Sequence, residues 1–547
     1  MKRYAASLRA FAQVFANPRV RNVQLADVGS TLGTWAYGVA LPVYAFHSGG
    51  TRAVGLLFFA RFVFAALAAP WLGLLADRRS RRQLMLIADI VRMAIFAGMT
   101  VIAITGASAY ILYVLAITST IISGSYPPAQ AALMPTLVDS PEELTAANVV
   151  GNTISSLGMF AGPALAGILL ALSGPAAVFA LNVGLFVWSA IFIAMVPRDE
   201  PPPRPERPPR FLPELLAGVT TVLSKKALRV VVGLSATMTL VDGALEVMLV
   251  VVALRLLEGG NAALGWLNTA IGVGSVLGAF VVAAFVSRRR LAGGFALGIL
   301  LSSIPLALTA AVSTLAPAIV LIGALGIGSI LVQVNSVTLL QRSADNDVLG
   351  RVFACLQTLM LGTLAIGSLA TPAIVSWLGS RGALIAVGVI GPLVLIPFWP
   401  ALRRIDAESV IAEEPLELLR RIEIFTELPE PVLERLAAGA TSISVAAGGV
   451  VVSRGEVGNH FYAIAGGKAA VDLDDGTTRE LGPGDFFGEI ALLRDVPRTA
   501  TVRALEPLHL FAVERDEFLV AVTGHDPTLA VAENVVTSRL PAGVLAG

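Results

Sequence analysis

Apolar runs as long as AIVLIGALGIGSILVQV and GALIAVGVIGPLVLIPFW recur through the first 400 residues of this chain. Each is long enough to cross a hydrocarbon core of about 30 Å, and few other folds can accommodate them in such number. Twelve spans are read from hydropathy: 22–46, 53–76, 84–105, 108–130, 147–172, 174–196, 228–254, 262–286, 291–314, 316–340, 350–377 and 381–400. At about 20 residues each they require about 240 residues, which leaves room for short loops. Only 14% of the 547 residues are charged, against about 25% in an ordinary soluble domain, and mean hydropathy is +0.78. The sequence predicts a polytopic α-helical membrane protein.

The spans divide six and six. Residues 1–21 form a basic N-terminal segment without a signal-peptide pattern, expected to be retained in the cytoplasm, and residues 22–196 hold the first six spans. PRDEPPPRPERPPRFLP opens a Pro-rich linker over 197–227, expected to be extended. Six more spans fill 228–400, a connecting helix is expected over 401–420, and a soluble domain over 421–547. Arginine concentrates on one set of loops: Arg78, Arg79, Arg81 and Arg82 after span two, Arg198, Arg204, Arg207 and Arg210 after span six, and Arg288, Arg289 and Arg290 after span eight. By the positive-inside rule both termini and the soluble domain face the cytoplasm of a cell (plasma) membrane. The halves also echo one another, as expected of transporters that rock two repeats around a central site.

Net charge is +1, so no overall basic field points to nucleic acid. The single cysteine, Cys355, excludes an intramolecular disulfide framework, and the four histidines are scattered, so no metal site is expected. Neither half shows a nucleophile with a base or a triphosphate-binding loop, so an enzyme is not expected. No arginine ladder or TVGYG-type filter argues for a gated channel.

GLLADRRSRR, running from Gly73 to Arg82, resembles the G-x-L-x-D-R-x-G-R-R/K loop signature of the major facilitator superfamily, with Ser80 in place of the usual glycine. The span count, repeat and linker extend that resemblance to about residues 10–400. It implies that Gly73, Asp77, Arg78 and Arg82 belong to a gating loop tying neighbouring helix ends together. The glycine–proline pattern of span five, Gly158, Gly162, Pro163 and Gly167, is similar to that of the family's exporters. The whole looks most like the drug or siderophore exporter branch, while close helix packing explains the same glycines.

Ionisable residues within spans are costly and usually face a cavity or a partner. Asp27, Arg61, Asp89, Arg92, Asp242 and Glu246 are the candidates for proton coupling or substrate contact. Asp89 and Arg92, at i,i+3, read most simply as a mutual ion pair. Asp242 and Glu246, at i,i+4, place two carboxylates on one helix face. Asp27, Asp242 and Glu246 suit proton coupling, with Arg61 as counter-charge, although capping explains Asp27 and Asp89 equally well. Gln333 and Asn335 either line the cavity or make packing hydrogen bonds.

Beyond residue 421 the pattern turns to short alternating strands with glycine turns, predicting a small jelly-roll barrel with flanking helices. GDFFGEIALLRDVPRTATV, from Gly484 to Val502, closely resembles the phosphate-binding cassette of cyclic nucleotide-binding domains, and RGEVG from Arg454 matches their strand–turn signature. The resemblance implies that Arg498 pairs with a cyclic phosphate and Glu489 accepts from the ribose hydroxyl. Gly488 allows close backbone approach, and Ile490, Ala491 and Ala500 contribute backbone N–H groups, beside Phe487 and Thr499. Cyclic AMP is the expected ligand; Thr499 keeps cyclic GMP in view. The expectation is a proton-coupled exporter of a small molecule, embedded in a lipid bilayer and regulated by cyclic nucleotide. The alternatives are an exporter of the nucleotide itself and a receptor or scaffold without flux.

Overall fold

The computed structural model describes residues 14–76, 79–199, 211–257, 259–286, 291–343, 346–410, 413–472 and 477–539. Ten of its helices are long and apolar enough to cross a membrane. Two of those stretches, Pro18–Ala69 and Cys355–Arg404, run for 52 and 50 residues. At about 1.5 Å per residue, each is more than twice the thickness of a hydrocarbon core. Glycine breaks each one: α1 (Pro18–Ala76) turns at Gly49 and Gly50, the latter with φ 62°, and the helix Asn346–Gly388 turns at Gly379, φ 71°. Ten helices therefore supply length for twelve crossings.

The remaining membrane helices are α2 (Arg81–Thr105), α3 (Ala109–Ser123), α4 (Tyr126–Leu133), α5 (Pro141–Ser173), α6 (Pro175–Ala194), α8 (Lys226–Val251), α9 (Gly260–Val286), α10 (Leu291–Leu308), α11 (Leu315–Ser343), α12 (Asn346–Gly388) and α13 (Ile390–Val410). A π-helical turn, Val252–Leu256, extends α8. Within the first half α1 packs on α5 and α6; α8 and α12 pair in the second. The halves meet where α1 lies on α12 and α5 on α9. One apolar core draws on both, from Tyr37, Phe96 and Phe186 to Val247, Met248 and Leu306. Phe96 meets Tyr37 edge-on at 4.9 Å and stacks on Phe186 at 5.3 Å. The span-five glycines serve this packing. A Cβ on Gly162 would stand 2.6 Å from the Trp35 Cβ, and one on Gly167 3.1 Å from the Gly265 Cα of the other half.

The linker expected to be extended contains a helix, α7 (Phe211–Ser224), which packs against α12. The proline run ends at Pro213, which falls in the first turn of α7, where a missing N–H is tolerated; thereafter ELLAGVTTVLS offers an apolar helical face. Of the connecting helix expected over 401–420, residues up to Val410 continue α13 and those from Glu413 belong to α14 (Glu413–Arg421), while 411 and 412 lie outside the described residues. Leu416 and Leu419 of α14 are buried in the core of the soluble unit, which begins at Arg404.

That unit is built on two four-stranded antiparallel sheets, with strands β1 (Thr441–Val445), β2 (Val450–Val452), β3 (His460–Gly466), β4 (Ala469–Asp472), β5 (Thr478–Leu481), β6 (Phe486–Phe487), β7 (Thr501–Ala504) and β8 (Leu508–Glu514). The orders are β1-β8-β3-β6 and β2-β7-β4-β5. Ile464, Phe487, Val502 and Leu510 fill the space between the sheets. Strand β3 is buried on both faces, because its other side meets helices: Phe461 stacks on Phe518 at 4.9 Å and meets Phe425 at 5.3 Å. The helices are α14, α15 (Glu430–Gly439), α16 (Glu489–Arg494), α17 (Arg515–Thr523) and α18 (Asp526–Arg539).

Candidate functional site

Strand β6 ends at Gly488, whose φ of 97° turns the chain sharply into the six-residue helix α16. Glycine is required twice over here: the φ is left-handed, and a Cβ would fall 2.5 Å from Arg498 Nη1. After α16 the chain reverses through Asp495 (φ 53°) and reaches Arg498 before entering β7. Arg498 is 6% exposed, and its guanidinium donates through Nη1 to the Gly488 carbonyl at 3.1 Å and through Nη2 to the His460 carbonyl at 2.7 Å. These use two of its five N–H donors. It lies over the Tyr462 ring, 5.6 Å from the centroid. A Cβ on Gly458 would reach 2.9 Å from its Cζ, which explains the glycine in the RGEVG turn. Burial pulls its pKa down, and Tyr462, Glu489 and Glu456 pull it back.

Glu489, 2% exposed, opens α16. Its Oε1 accepts from Arg539 Nη1 at 2.9 Å, and the same nitrogen donates to the Phe486 carbonyl at 3.0 Å. Burial raises the Glu489 pKa above the usual carboxylate value, opposed first by the charge of Arg539. Arg539 stands 4.1 Å over the Phe486 ring and ends α18. No sequence signal marks Arg539: it belongs to no motif and lies about forty residues beyond the cassette.

The eight expected nucleotide residues come together around one cavity of about 450 Å³. Phe487, Gly488, Glu489, Ile490 and Ala491 form one wall, and Arg498, Thr499 and Ala500 another. Arg539, Arg479 and Val471 complete it. The volume lies within the range of about 300–1,000 Å³ usual for small-molecule pockets. The arrangement offers a buried cation, a buried anion and turning backbone between apolar walls, which suits an anionic group bonded to a hydroxyl-bearing ring.

In the membrane unit, Arg82 donates through Nη2 to the Ala194 carbonyl at 2.7 Å and through Nε to the Ile193 carbonyl at 3.2 Å, tying the start of α2 to the end of α6. Asp199, which sequence reading passed over, answers it. Its carboxylate accepts from the Ser80 hydroxyl and from the backbone N–H groups of Arg81 and Arg82, at 2.7 and 3.2 Å. Burial alone would raise its pKa, but these hydrogen bonds at a helix N-terminus hold it below the usual value. Gly73 lies in α1; Asp77 and Arg78 lie outside the described residues.

Asp89 and Arg92 feel each other's charge, as expected of a pair, but no hydrogen bond joins them. Asp89 accepts from the Ser189 hydroxyl at 2.6 Å. Arg92 donates to Ser30 at 3.2 Å and Thr34 at 2.8 Å, its guanidinium 3.9 Å over Phe186. Arg61 Nε donates to Thr120 at 2.8 Å beneath Tyr37 and Phe58. Its charge is felt by Glu246 in the opposite half, and Glu246 in turn is felt by Asp242, one turn away on α8. Asn335 is buried and bonds to the Leu331 carbonyl of its own helix at 2.8 Å, the packing alternative, whereas Gln333 is exposed. Asp27 accepts from Thr31 at 3.3 Å and lines a separate cavity of about 460 Å³ in the first half.

The fold and these sites define a polytopic helical membrane protein carrying a cyclic nucleotide-binding domain. Residues 25–361 match the Major Facilitator Superfamily, more than half of the chain, and the chain belongs to that superfamily of transporters. Residues 442–524 match the cyclic nucleotide-binding domain. In that domain the chain is similar to the cAMP-dependent protein kinase regulatory subunit of Yarrowia lipolytica, at 37% identity over 102 residues, 18% of this chain and 27% of that protein. It is also similar to the cGMP-dependent protein kinase of Eimeria tenella, at 32% identity over 118 residues, 21% of this chain and 12% of that protein. The chain thus spans less than a third of the length of the curated relatives it matches. Among solved structures, the regulatory domain of Toxoplasma gondii PKA with cAMP is 29% identical, covering 23% of this chain and 47% of that one, with a TM-score of 0.19.

Proposed function

We propose that this protein is a secondary active transporter, a proton-coupled exporter of a small molecule, whose activity is set by cyclic nucleotide bound to the C-terminal domain. The observation that carries the regulatory part is the convergence of Arg498, Glu489 and the Gly488 turn on one cavity of suitable size. Arg498 retains donors for the two exocyclic oxygens of a cyclic phosphate, and Glu489 is placed to accept from a ribose hydroxyl. Cyclic AMP is the favoured ligand, in keeping with relatives named for it. The exposed Thr499 beside Arg498 makes cyclic GMP the comparator.

Proton coupling is supported by Asp242 and Glu246 on one face of α8, with Arg61 of the opposite half within electrostatic reach of Glu246. A carboxylate pair shared between two rocking halves can take a proton in one arrangement and release it in the other. The arginine-rich loops support a plasma-membrane orientation with both termini and the nucleotide domain in the cytoplasm.

Calorimetric titration of the full-length protein with cyclic AMP and cyclic GMP tests the regulatory reading. Micromolar or tighter binding is expected, weakened about 10- to 100-fold by Arg498→Ala, the loss of a charge-assisted hydrogen bond. Absence of binding by either nucleotide to the wild-type protein overturns it.

A further inference from the structure

The cavity of about 460 Å³ in the first membrane half is walled, among the described residues, by α1, α2, α3, α4 and α5. Its charges are unequal in availability. Arg92 is 2% exposed, its terminal nitrogens already donate to Ser30 and Thr34, and its charge is opposed by Asp89 behind it. Asp27 is different. Among the described residues its hydrogen-bond partners are Thr31 and Gln130, both uncharged.

A second group in the same wall requires a donor. Gln24 is 1% exposed and its amide nitrogen donates to the Ala147 carbonyl at 2.9 Å, but its Oε1 is buried without a hydrogen-bond partner. The facing wall, on α5, presents Asn148 and Asn152 four residues apart. A carboxylate without a counter-cation, beside an unmatched acceptor, selects a ligand that brings positive charge and N–H or O–H donors. Amides on the far wall disfavour a purely apolar cation, which would desolvate them with nothing in return.

We propose that this cavity is the substrate site and that the transported class is a polar, protonated amine bearing hydroxyl or amide groups, its ammonium held by Asp27. The proposal rests on the transporter reading above and names its substrate. It divides the labour between the halves: recognition at Asp27 in the first, proton exchange at Asp242 and Glu246 in the second.

The test is equilibrium binding to the full-length protein in lipid nanodiscs, using probes matched in size and differing in charge: glucosamine, glucose and glucuronate. Spermidine serves as a second amine and tetraphenylphosphonium as an apolar cation. Glucosamine is expected to bind at least about tenfold more tightly than glucose or glucuronate, the measure of one charge-assisted contact. Asp27→Asn is expected to remove that margin and leave glucose unchanged. A monodisperse gel-filtration profile and a thermal unfolding midpoint like those of the wild type show that the variant is folded. Should Asp27→Asn fail to fold, Asn152→Leu on the far wall is expected to weaken glucosamine and glucose alike. The proposal is overturned if neither amine binds, if glucose or glucuronate equals glucosamine, if tetraphenylphosphonium binds tighter than both amines, or if a folded Asp27→Asn keeps its preference for the amine. None of these outcomes touches nucleotide binding or pH-driven transport, so failure of the substrate class is distinguishable from failure of the transporter reading.

Discussion

At Glu489 two influences oppose each other. Burial favours the protonated carboxyl, and Arg539, bonded to Oε1 at 2.9 Å, favours the ionised one. Only the ionised form is acceptor-only, so affinity for a ribose hydroxyl rises as pH climbs through the Glu489 pKa and levels above it. Arg539→Ala removes the charge that lowers this pKa, so the rise is expected to move to higher pH. Calorimetric affinities measured against pH for wild type and variant check the direction; an unmoved midpoint would show that Arg539 does not set the charge of Glu489. The cassette residues were legible because they lie within one short stretch of chain, where spacing alone brings them together. Arg539 was illegible because the packing of α18 delivers it. The hydroxyl partners of Asp89 and Arg92 were illegible for a related reason: helical spacing shows that the two side chains are neighbours, not which hydroxyls on α1 and α6 they bond to.

At the scale of elements, contacts between the two halves depend on side chains that are absent. A Cβ on Gly265 of α9 would stand 2.8 Å from both the Pro163 carbonyl oxygen and the Gly167 backbone nitrogen of α5. Backbone cannot swing aside as a flexible side chain can, so Gly265→Val is expected to cost about 1–3 kcal/mol through overpacking. Thermal unfolding of the detergent-solubilised protein should show a midpoint lowered by several degrees. Gly184→Val on α6, where a Cβ would meet nothing within 4 Å, provides the control and should leave the midpoint unchanged. The glycine–proline pattern in α5 was visible in the sequence, but its partner glycine in α9 was not, since no local period marks a contact a hundred residues away. The short helix at Phe211 escaped notice because the proline run preceding it dominated the composition of the linker.

At the scale of the whole molecule, the proposed transport requires the two halves to be coupled, and the neighbouring charges of Arg61, Glu246 and Asp242 support an electrostatic link between them. Asp242→Asn is expected to abolish the effect of a pH gradient on flux through proteoliposomes, while leaving exchange without a gradient in place. Unchanged pH-driven flux would remove Asp242 from the coupling pathway. The polytopic helical character and the division into a membrane unit and a second unit were legible from hydropathy, because bilayer thickness imposes itself directly on the length of apolar runs. The proximity of Arg61 to Glu246 was not, since the two lie on opposite halves.

The bond between Arg539 and Glu489 also sets a dose scale. A ribose hydroxyl that takes Glu489 Oε1 displaces the arginine, whereas one that takes the other oxygen does not; on the first route the apparent dissociation constant is the intrinsic one divided by the fraction of molecules in which that bond is open. A firmer closure raises the concentration at which the domain half-fills without altering any contact to the ligand. Under the proposed regulation, the last turn of α18 is thus an element that tunes the nucleotide concentration at which the domain fills.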